Sequence, residues 1–107
     1  MAVTLTTLNP YALTNDATGG DNTAVTFPSS AYACRIHPVG GEGRWFPTGT
    51  DGATADTAYA LVVADTWHTI ILDRSVYASP PVVYFAHAGN SGVTRIEPLT
   101  KAQAEAL

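Results

Sequence analysis

Residues 59–72, YALVVADTWHTIIL, form the most apolar stretch of the chain and divide into two strand-like runs. The runs are YALVVA and TWHTIIL, and Asp65 between them predicts a tight connection or a bulge. β-Branched and aromatic residues at this density favour extended backbone over helix. The stretch therefore predicts two adjacent strands, and with them a protein built mainly from β-sheet.

Further short runs of the same kind lie on both sides of this pair and are separated by turn residues. Residues 32–37, YACRIH, alternate with period two, which puts Tyr32, Cys34 and Ile36 on one side of a strand and Ala33, Arg35 and His37 on the other. Pro38 is expected to end that strand, and the glycine-rich turn GGEG follows at residues 40–43. The remaining runs are predicted at residues 2–8, 23–27, 44–46, 76–78, 82–88 and 93–97. Strands at this spacing predict an antiparallel β-sandwich, and a jelly roll of about eight strands suits their number.

The two ends of the chain differ from this strand-rich middle. Residues 1–22 are predicted to be an extended N-terminal strand or arm followed by a polar loop, because MAVTLTTLNPYAL is apolar and uncharged. Such a strand is suited to add to the sheet edge of another chain, and it is equally suited to be the first strand of its own sandwich. Residues 23–99 form the predicted β-sandwich domain. Residues 100–107, TKAQAEAL, begin with a capping-box pattern and predict a short C-terminal helix or tail.

The composition is typical of one small folded domain. With 107 residues, the chain has room for a single hydrophobic core. Only 13% of the residues are charged and 46% are hydrophobic, which argues against long solvated helices and against disorder. The five Lys and Arg residues are scattered and the net charge is −4, so we expect no nucleic-acid binding. We also expect no membrane contact and no signal peptide, since no run approaches the ~20 apolar residues of a membrane span.

No pattern in the sequence predicts catalysis, a cofactor or a metal. His37, His68 and His87 lie in separate strand-like runs and do not have metal-ligand spacing. The serines occur in turn-like contexts without a nucleophile motif, and Cys34 alternates like a small core residue. The turn at residues 40–43 lacks the lysine and the following helix of a phosphate-binding loop. The sequence therefore predicts a protein that is not an enzyme.

The aromatic residues leave a carbohydrate-binding module open as an alternative function. Two tryptophans and five tyrosines offer rings on which a sugar can stack. Trp67 is among these rings, and the alternative is that Trp67, Phe85 and Phe46 fill the sandwich core. Trp45 lies between Arg44 and a proline beside the glycine-rich turn, and is the ring expected to be exposed. Arg44 and Trp45 are therefore the candidate contact residues for this function.

Four segments between about Val25 and Leu99 carry a resemblance to a known group of proteins. They are the strand AYACRIHP, the extended segment GRWFPTGTDGATAD, the strand pair AYALVVADTWHTIIL and the closing segment PPVVYFAHAGNSGVTRIEPL. Together they resemble the small jelly-roll accessory proteins of tailed-phage virions, which include capsid decoration (cement) proteins. The longer N-terminal segment and the C-terminal TKAQAEAL depart from the simplest members of this group.

The resemblance implies a non-enzymatic structural protein that is made in the host cytoplasm and resides on the capsid surface. Such a protein binds the outside of the assembled shell and bridges neighbouring capsid subunits. Its expected partners are the major capsid protein and further copies of itself in a homotrimer, with a glycan as a further candidate ligand. The arm residues expected to make the contact are Val3, Leu5, Leu8, Tyr11 and Leu13. A low-copy tail or head–tail component of the same fold is a second alternative.

Overall fold

The computed structural model describes residues 2–15, 19–55, 59–73, 77 and 79–107. These residues form nine β-strands in two sheets and one short helix, which confirms the predicted all-β sandwich. The strand predicted at residues 76–78 lies outside the described residues, apart from Tyr77. The elements are β1 (Val3–Thr4), β2 (Tyr11–Thr14), β3 (Thr23–Thr26), β4 (Ala33–Val39), β5 (Gly43–Phe46), β6 (Ala60–Val62), β7 (His68–Ile71), β8 (Val82–His87), β9 (Val93–Leu99) and α1 (Lys101–Glu105).

The strands pair as the two halves of an antiparallel ribbon that has been rolled up. β2 pairs with β9, β3 with β8, β4 with β7 and β5 with β6, so the second half of the ribbon returns along the first. Pairing of β4 with β9 and of β5 with β8 joins the ribbon into two sheets, β2-β9-β4-β7 and β1-β3-β8-β5-β6. This winding is that of a jelly roll, to which β1 adds a parallel strand beside β3.

The core lies between the two sheets and is filled by alternate residues of their strands. Val25 and Phe85 from one sheet and Cys34 and Ile36 from the other are all buried. The ring of Phe27 meets that of Phe85 edge to face, with 6.4 Å between the centroids. The period-two pattern of residues 32–37 predicts Cys34 and Ile36 correctly. Tyr32, predicted on the same side, lies before β4 and is exposed, and Ala33, predicted on the other side, is buried.

Pro38 lies inside β4 and does not end it, which differs from the prediction. The strand continues to Val39, with Pro38 opposite Thr94 of β9. β7 pairs only with residues 33–36 of β4, so Pro38 lies beyond the last residue that is hydrogen-bonded to β7. The Pro38 carbonyl accepts a hydrogen bond from the Asp65 N–H on the edge of β4 that faces β7, over 2.8 Å. Because a residue's N and carbonyl point to the same edge, the N–H that proline lacks is not needed by the β4–β9 ladder.

The N-terminal segment is part of the sandwich and is not a free arm. β1 pairs with β3 in one sheet, and β2 pairs with β9 in the other. Leu13 is buried in the core, while Val3, Leu5 and Leu8 are partly buried against it. Of the five arm residues predicted to contact a partner, Tyr11 alone is an exposed side chain. The described part of residues 1–22 thus packs as one body with the domain predicted at 23–99.

The C-terminal helix begins with the hydrogen bonds that its sequence predicts. The Gln103 N–H donates to Thr100 Oγ1 over 3.2 Å, and the Thr100 N–H donates to Gln103 Oε1 over 2.9 Å. These reciprocal bonds form a capping box and satisfy two backbone donors at the helix start. The helix is short and lies against β4 and β9.

Candidate binding surfaces

Of the two tryptophans, Trp67 is the exposed one and Trp45 is not. Trp45 is partly buried against the core and lies 5.7 Å from the ring of His68, because its position in β5 is opposite the inward-facing Phe85. Trp67 precedes β7 and is 42% exposed. Arg44, predicted to be exposed beside Trp45, is half-buried, with Nη2 3.7 Å from Glu42 Oε1. The prediction that Trp45 is the exposed ring is therefore wrong, and of the two alternatives for Trp67 the structure excludes the core position.

Trp67 lies on the outer face of the β2-β9-β4-β7 sheet, among charged side chains. The Arg35 guanidinium carbon is 4.2 Å from the centre of its ring, and the His37 ring centre is 4.9 Å away. Arg35 Nε donates to Glu97 Oε1 over 2.7 Å, which fixes the guanidinium between β4 and β9. We call Trp67, Arg35, His37 and Glu97 the tryptophan platform. The sequence does not predict the platform, because its residues become neighbours only through the pairing of β4 with β7 and β9, and that register cannot be read from a local pattern.

A second exposed feature is the side of the sandwich formed by β6, β7 and the connection between them, which we call the open side. β6 and β7 are the outermost strands of the two sheets. Leu61 is 60% exposed, Val63 is 71% exposed and Ile71 is 48% exposed. On the opposite side of the sandwich, the segment between β1 and β2 packs Leu5 and Leu8 against the core. The exposed large aliphatic side chains of the strands are thus concentrated at one of the two sheet edges.

His87 is a structural residue at the turn end of the sandwich. Its Nδ1 accepts a hydrogen bond from the Gly89 N–H over 2.9 Å, so the ring proton is on Nε2, which donates to the Val39 carbonyl over 2.8 Å. A Cβ at Gly41 would lie 2.7 Å from the ring, and one at Gly92 would lie 2.1 Å from it. The glycines predicted as turn residues therefore also make room for a buried imidazole. Within the described ranges, no three His, Cys, Asp or Glu residues are grouped as metal ligands.

The loop before β6 is tied by polar groups to β3 and the residue before it, in the sheet that also contains β6. Asn22 Nδ2 donates to the Tyr59 hydroxyl over 2.7 Å, and that hydroxyl donates to the Thr48 carbonyl over 3.3 Å. Asp51 Oδ1 accepts from the Ala24 N–H over 2.9 Å, and this hydrogen bond lowers the pKa of Asp51 below its usual value. These contacts hold residues 48–55 in place and suit a structural role for the loop.

Comparison of the chain with protein-family models, with curated proteins and with solved structures found no match. None of the helical residues described by the structure belongs to a helix long and apolar enough to cross a membrane.

Burial raises the pKa of the Cys34 thiol far above its usual value, so this residue is an inert part of the core. The features that distinguish the surface are therefore the tryptophan platform and the open side.

Proposed function

We propose that the protein is a non-enzymatic structural protein of a virion, and specifically a capsid decoration protein that binds the assembled shell through its open side. The observation that carries this proposal is the exposure of Leu61, Val63 and Ile71 on the edge strands β6 and β7 and the connection between them. Leu61 lies opposite Arg44 and Ile71 opposite Ala33, so they point to the outer faces of different sheets and flank the open side from both faces. Large exposed apolar side chains beside an unpaired strand edge favour contact with another molecule. The jelly-roll winding is the fold of the virion accessory proteins that the sequence resembles.

The backbone of the open side supports the same proposal. An outermost strand presents N–H and carbonyl groups to which another strand can pair, and proteins that stay monomeric protect such edges with charges or prolines. β6 (ALV) and β7 (HTII) contain neither a Lys, Arg, Asp or Glu residue nor a proline. These strands are therefore suited to accept a strand from a protein partner, with apolar contacts beside the backbone hydrogen bonds.

The proposed partners are the major capsid protein and further copies of this chain, associated as trimers on the shell. A protein that binds the assembled shell more tightly than its free subunits stabilises the assembly by mass action. The contact is assigned to the open side and not to the N-terminal segment, since Val3, Leu5, Leu8 and Leu13 pack against their own core. The proposed location is the capsid surface, after synthesis in the host cytoplasm.

The first experiment measures how many copies of the protein each virus particle carries. Particles are purified from the source that encodes the protein, and the protein is quantified against the major shell protein by mass spectrometry. A copy number in fixed proportion to the shell protein is expected of a decoration protein. Far fewer copies would instead place it in the tail or the head–tail connection, and its absence from particles would overturn the virion proposal.

The second experiment tests the open side with matched leucine variants. Leu61 and Leu107 are similarly exposed, at 60% and 63%, but only Leu61 lies on the open side. Leu61→Ser is expected to weaken binding to shells that lack the protein, while Leu107→Ser binds like the wild type. Equal binding by the two variants would exclude Leu61 from the contact, and the Val63→Ser and Ile71→Ser variants extend the test along the open side.

A further inference from the structure

The tryptophan platform combines an exposed aromatic ring with hydrogen-bonding groups of both kinds, and we propose that it is a saccharide-binding site. Its ligand is a pyranose residue of a glycan, with the C–H face of the sugar stacked on the Trp67 ring. The proposal is independent of the virion function, because it rests on Trp67, Arg35, His37 and Glu97 and uses none of Leu61, Val63 and Ile71. It also differs from a glycan site at Trp45, whose ring packs against the core.

The strand register brings the platform residues into two neighbouring rows. Arg35 of β4 is opposite Thr69 of β7 on one side and Glu97 of β9 on the other. Continuing the β4–β7 register by one residue places Trp67 beside His37, which agrees with the 4.9 Å between their ring centres. Three strands span about 10 Å, and rows two residues apart are separated by about 7 Å. The surface is therefore large enough for one pyranose ring.

The Trp67 ring is held in place before any ligand binds. Arg35 and His37 point to the same side of β4, and both contact the indole ring, so the ring lies across them. Trp67 is 42% exposed as a residue, and the contacts of its ring with Arg35 and His37 are on the β4 side, so the proposed sugar stacks on the side away from β4. The contact between the guanidinium and the ring is a cation–π interaction, which favours this orientation. A ring that is already oriented loses little conformational freedom on binding.

The groups around the ring match the hydroxyls of a sugar, which both donate and accept hydrogen bonds. Arg35 uses Nε for Glu97, and its two terminal nitrogens are further donors in the same plane. Glu97 uses Oε1 for Arg35, and its second oxygen is a further acceptor. The hydroxyl of the exposed residue Thr69 can both donate and accept a hydrogen bond. Arg95, opposite His37 on β9, adds a donor at the rim for a hydroxyl or for the carboxylate of an acidic sugar.

The composition of the platform favours a sugar over a protein partner. The centres of protein–protein interfaces are depleted of charged residues, whereas Arg35 and Glu97 lie at the centre of this surface. Their side chains are half-buried and paired, so a covering protein would have to remove both from water. A sugar replaces that water with its own hydroxyls. The apolar open side is the surface suited to protein contact.

The experiment begins with the wild-type protein on a glycan array that carries neutral and acidic hexopyranosides. The best-binding array oligosaccharide is then titrated into the protein and followed by tryptophan fluorescence. The chain has two tryptophans, so Trp45→Phe leaves Trp67 as the only emitter. Saturable binding with a change in the emission of this variant is the expected result. No binding of any array glycan would overturn the proposal.

Variants then test the role of each group in the platform. Trp67→Ala is expected to weaken binding of that oligosaccharide by about tenfold or more, whereas Trp67→Phe keeps a stacking ring and most of the affinity. Arg35→Ala and Glu97→Ala are expected to weaken binding without removing the ring, so they test the proposal even where Trp67→Ala folds poorly. Leu61→Ser is the control and binds like the wild type.

Two further results would overturn the proposal. One is a folded Trp67→Ala variant that binds the oligosaccharide as tightly as the wild type. The other is a Trp67→Ala variant that leaves glycan binding intact but changes the oligomeric state or the binding to shells, since the platform would then be a protein contact. Light scattering and circular dichroism on the same samples give the oligomeric state and the fold.

Discussion

Gly92 lies so close to His87 that a Cβ at Gly92 would come within 2.1 Å of the imidazole Nδ1. Both nitrogens of this buried ring are hydrogen-bonded, to Val39 and to Gly89. The ring therefore joins the end of β4 to the turn between β8 and β9. A residue with no side chain is needed at Gly92 because the ring cannot move without losing these bonds.

Gly92→Ala is therefore expected to destabilise the protein by about 2–4 kcal/mol, through overpacking and the loss of a buried hydrogen bond. The matched control is Gly52→Ala, where no atom lies within 4 Å of the added Cβ and the cost of about 1 kcal/mol comes from the backbone angle φ of +80°. Urea unfolding of both variants measures the difference. Equal destabilisation would show that the ring at His87 moves freely.

Leu13 and Tyr11 test whether the N-terminal segment is part of the core. Both lie on β2, but Leu13 is buried and Tyr11 is exposed. Leu13→Ala is expected to lower the free energy of unfolding by about 2–5 kcal/mol, as for other buried leucines. Tyr11→Ala is expected to cost clearly less. If both substitutions were nearly neutral, the segment would be the arm that is one of the two alternatives left open by the sequence.

The sequence predicts those features that depend on neighbouring residues. The alternation at Cys34 and Ile36 identifies core positions, since a strand turns successive side chains to opposite faces. The capping box between Thr100 and Gln103 needs only residues three apart, and the structure contains it. Strand number and spacing predict the sandwich for the same reason, since each strand and turn is recognised locally.

The sequence fails where a side chain's environment depends on a distant strand. Trp45 faces inward because β5 pairs with β8 in the register that places it opposite Phe85. Trp67 becomes exposed because it lies just before β7, on the outer side of β4. Pro38 stays within its strand because β7 has ended beside it. A short run of residues does not determine how distant strands pair. The tryptophan platform and the open side can therefore be identified only once the fold is known.

Cys34 is expected to resist thiol reagents while the protein is folded. Burial raises the pKa of its thiol, so the reactive thiolate does not form in the folded state at neutral or mildly alkaline pH. In the unfolded chain the thiol ionises near its ordinary pKa of about 8.5. The unfolded state then binds fewer protons than the folded state, so this residue lowers stability as pH rises above about 8.5.

Reaction with a chromogenic disulfide at pH 8, with and without urea, measures the accessibility of Cys34. Slow reaction in buffer and rapid reaction of one thiol per chain in urea are expected, since the chain has one cysteine. A Cys34→Ala variant, which has no thiol, gives the background. Rapid reaction of the folded protein would contradict the burial of this side chain.

The hydroxyl of Tyr59 is expected to contribute to stability, because it connects Asn22 to the loop before β6. It accepts from Asn22 Nδ2 over 2.7 Å and donates to the Thr48 carbonyl over 3.3 Å. Tyr59→Phe keeps the ring that stacks on Phe46, 5.3 Å away, and removes only the oxygen. Because the Asn22 amide is buried, leaving its donor unpaired is expected to cost about 1–3 kcal/mol.

Tyr32→Phe is the matched control for this prediction, since the Tyr32 ring is exposed and loss of its hydroxyl is expected to change stability by less than about 0.5 kcal/mol. Thermal and urea unfolding of the two variants, side by side with the wild type, separate a buried hydroxyl from an exposed one. Amide hydrogen exchange in residues 48–55 gives a second measure, because a loop that has lost the Tyr59 hydroxyl opens more often. Unchanged exchange and stability in Tyr59→Phe would mean that Asp51, through its bond to the Ala24 N–H, is sufficient to hold the loop.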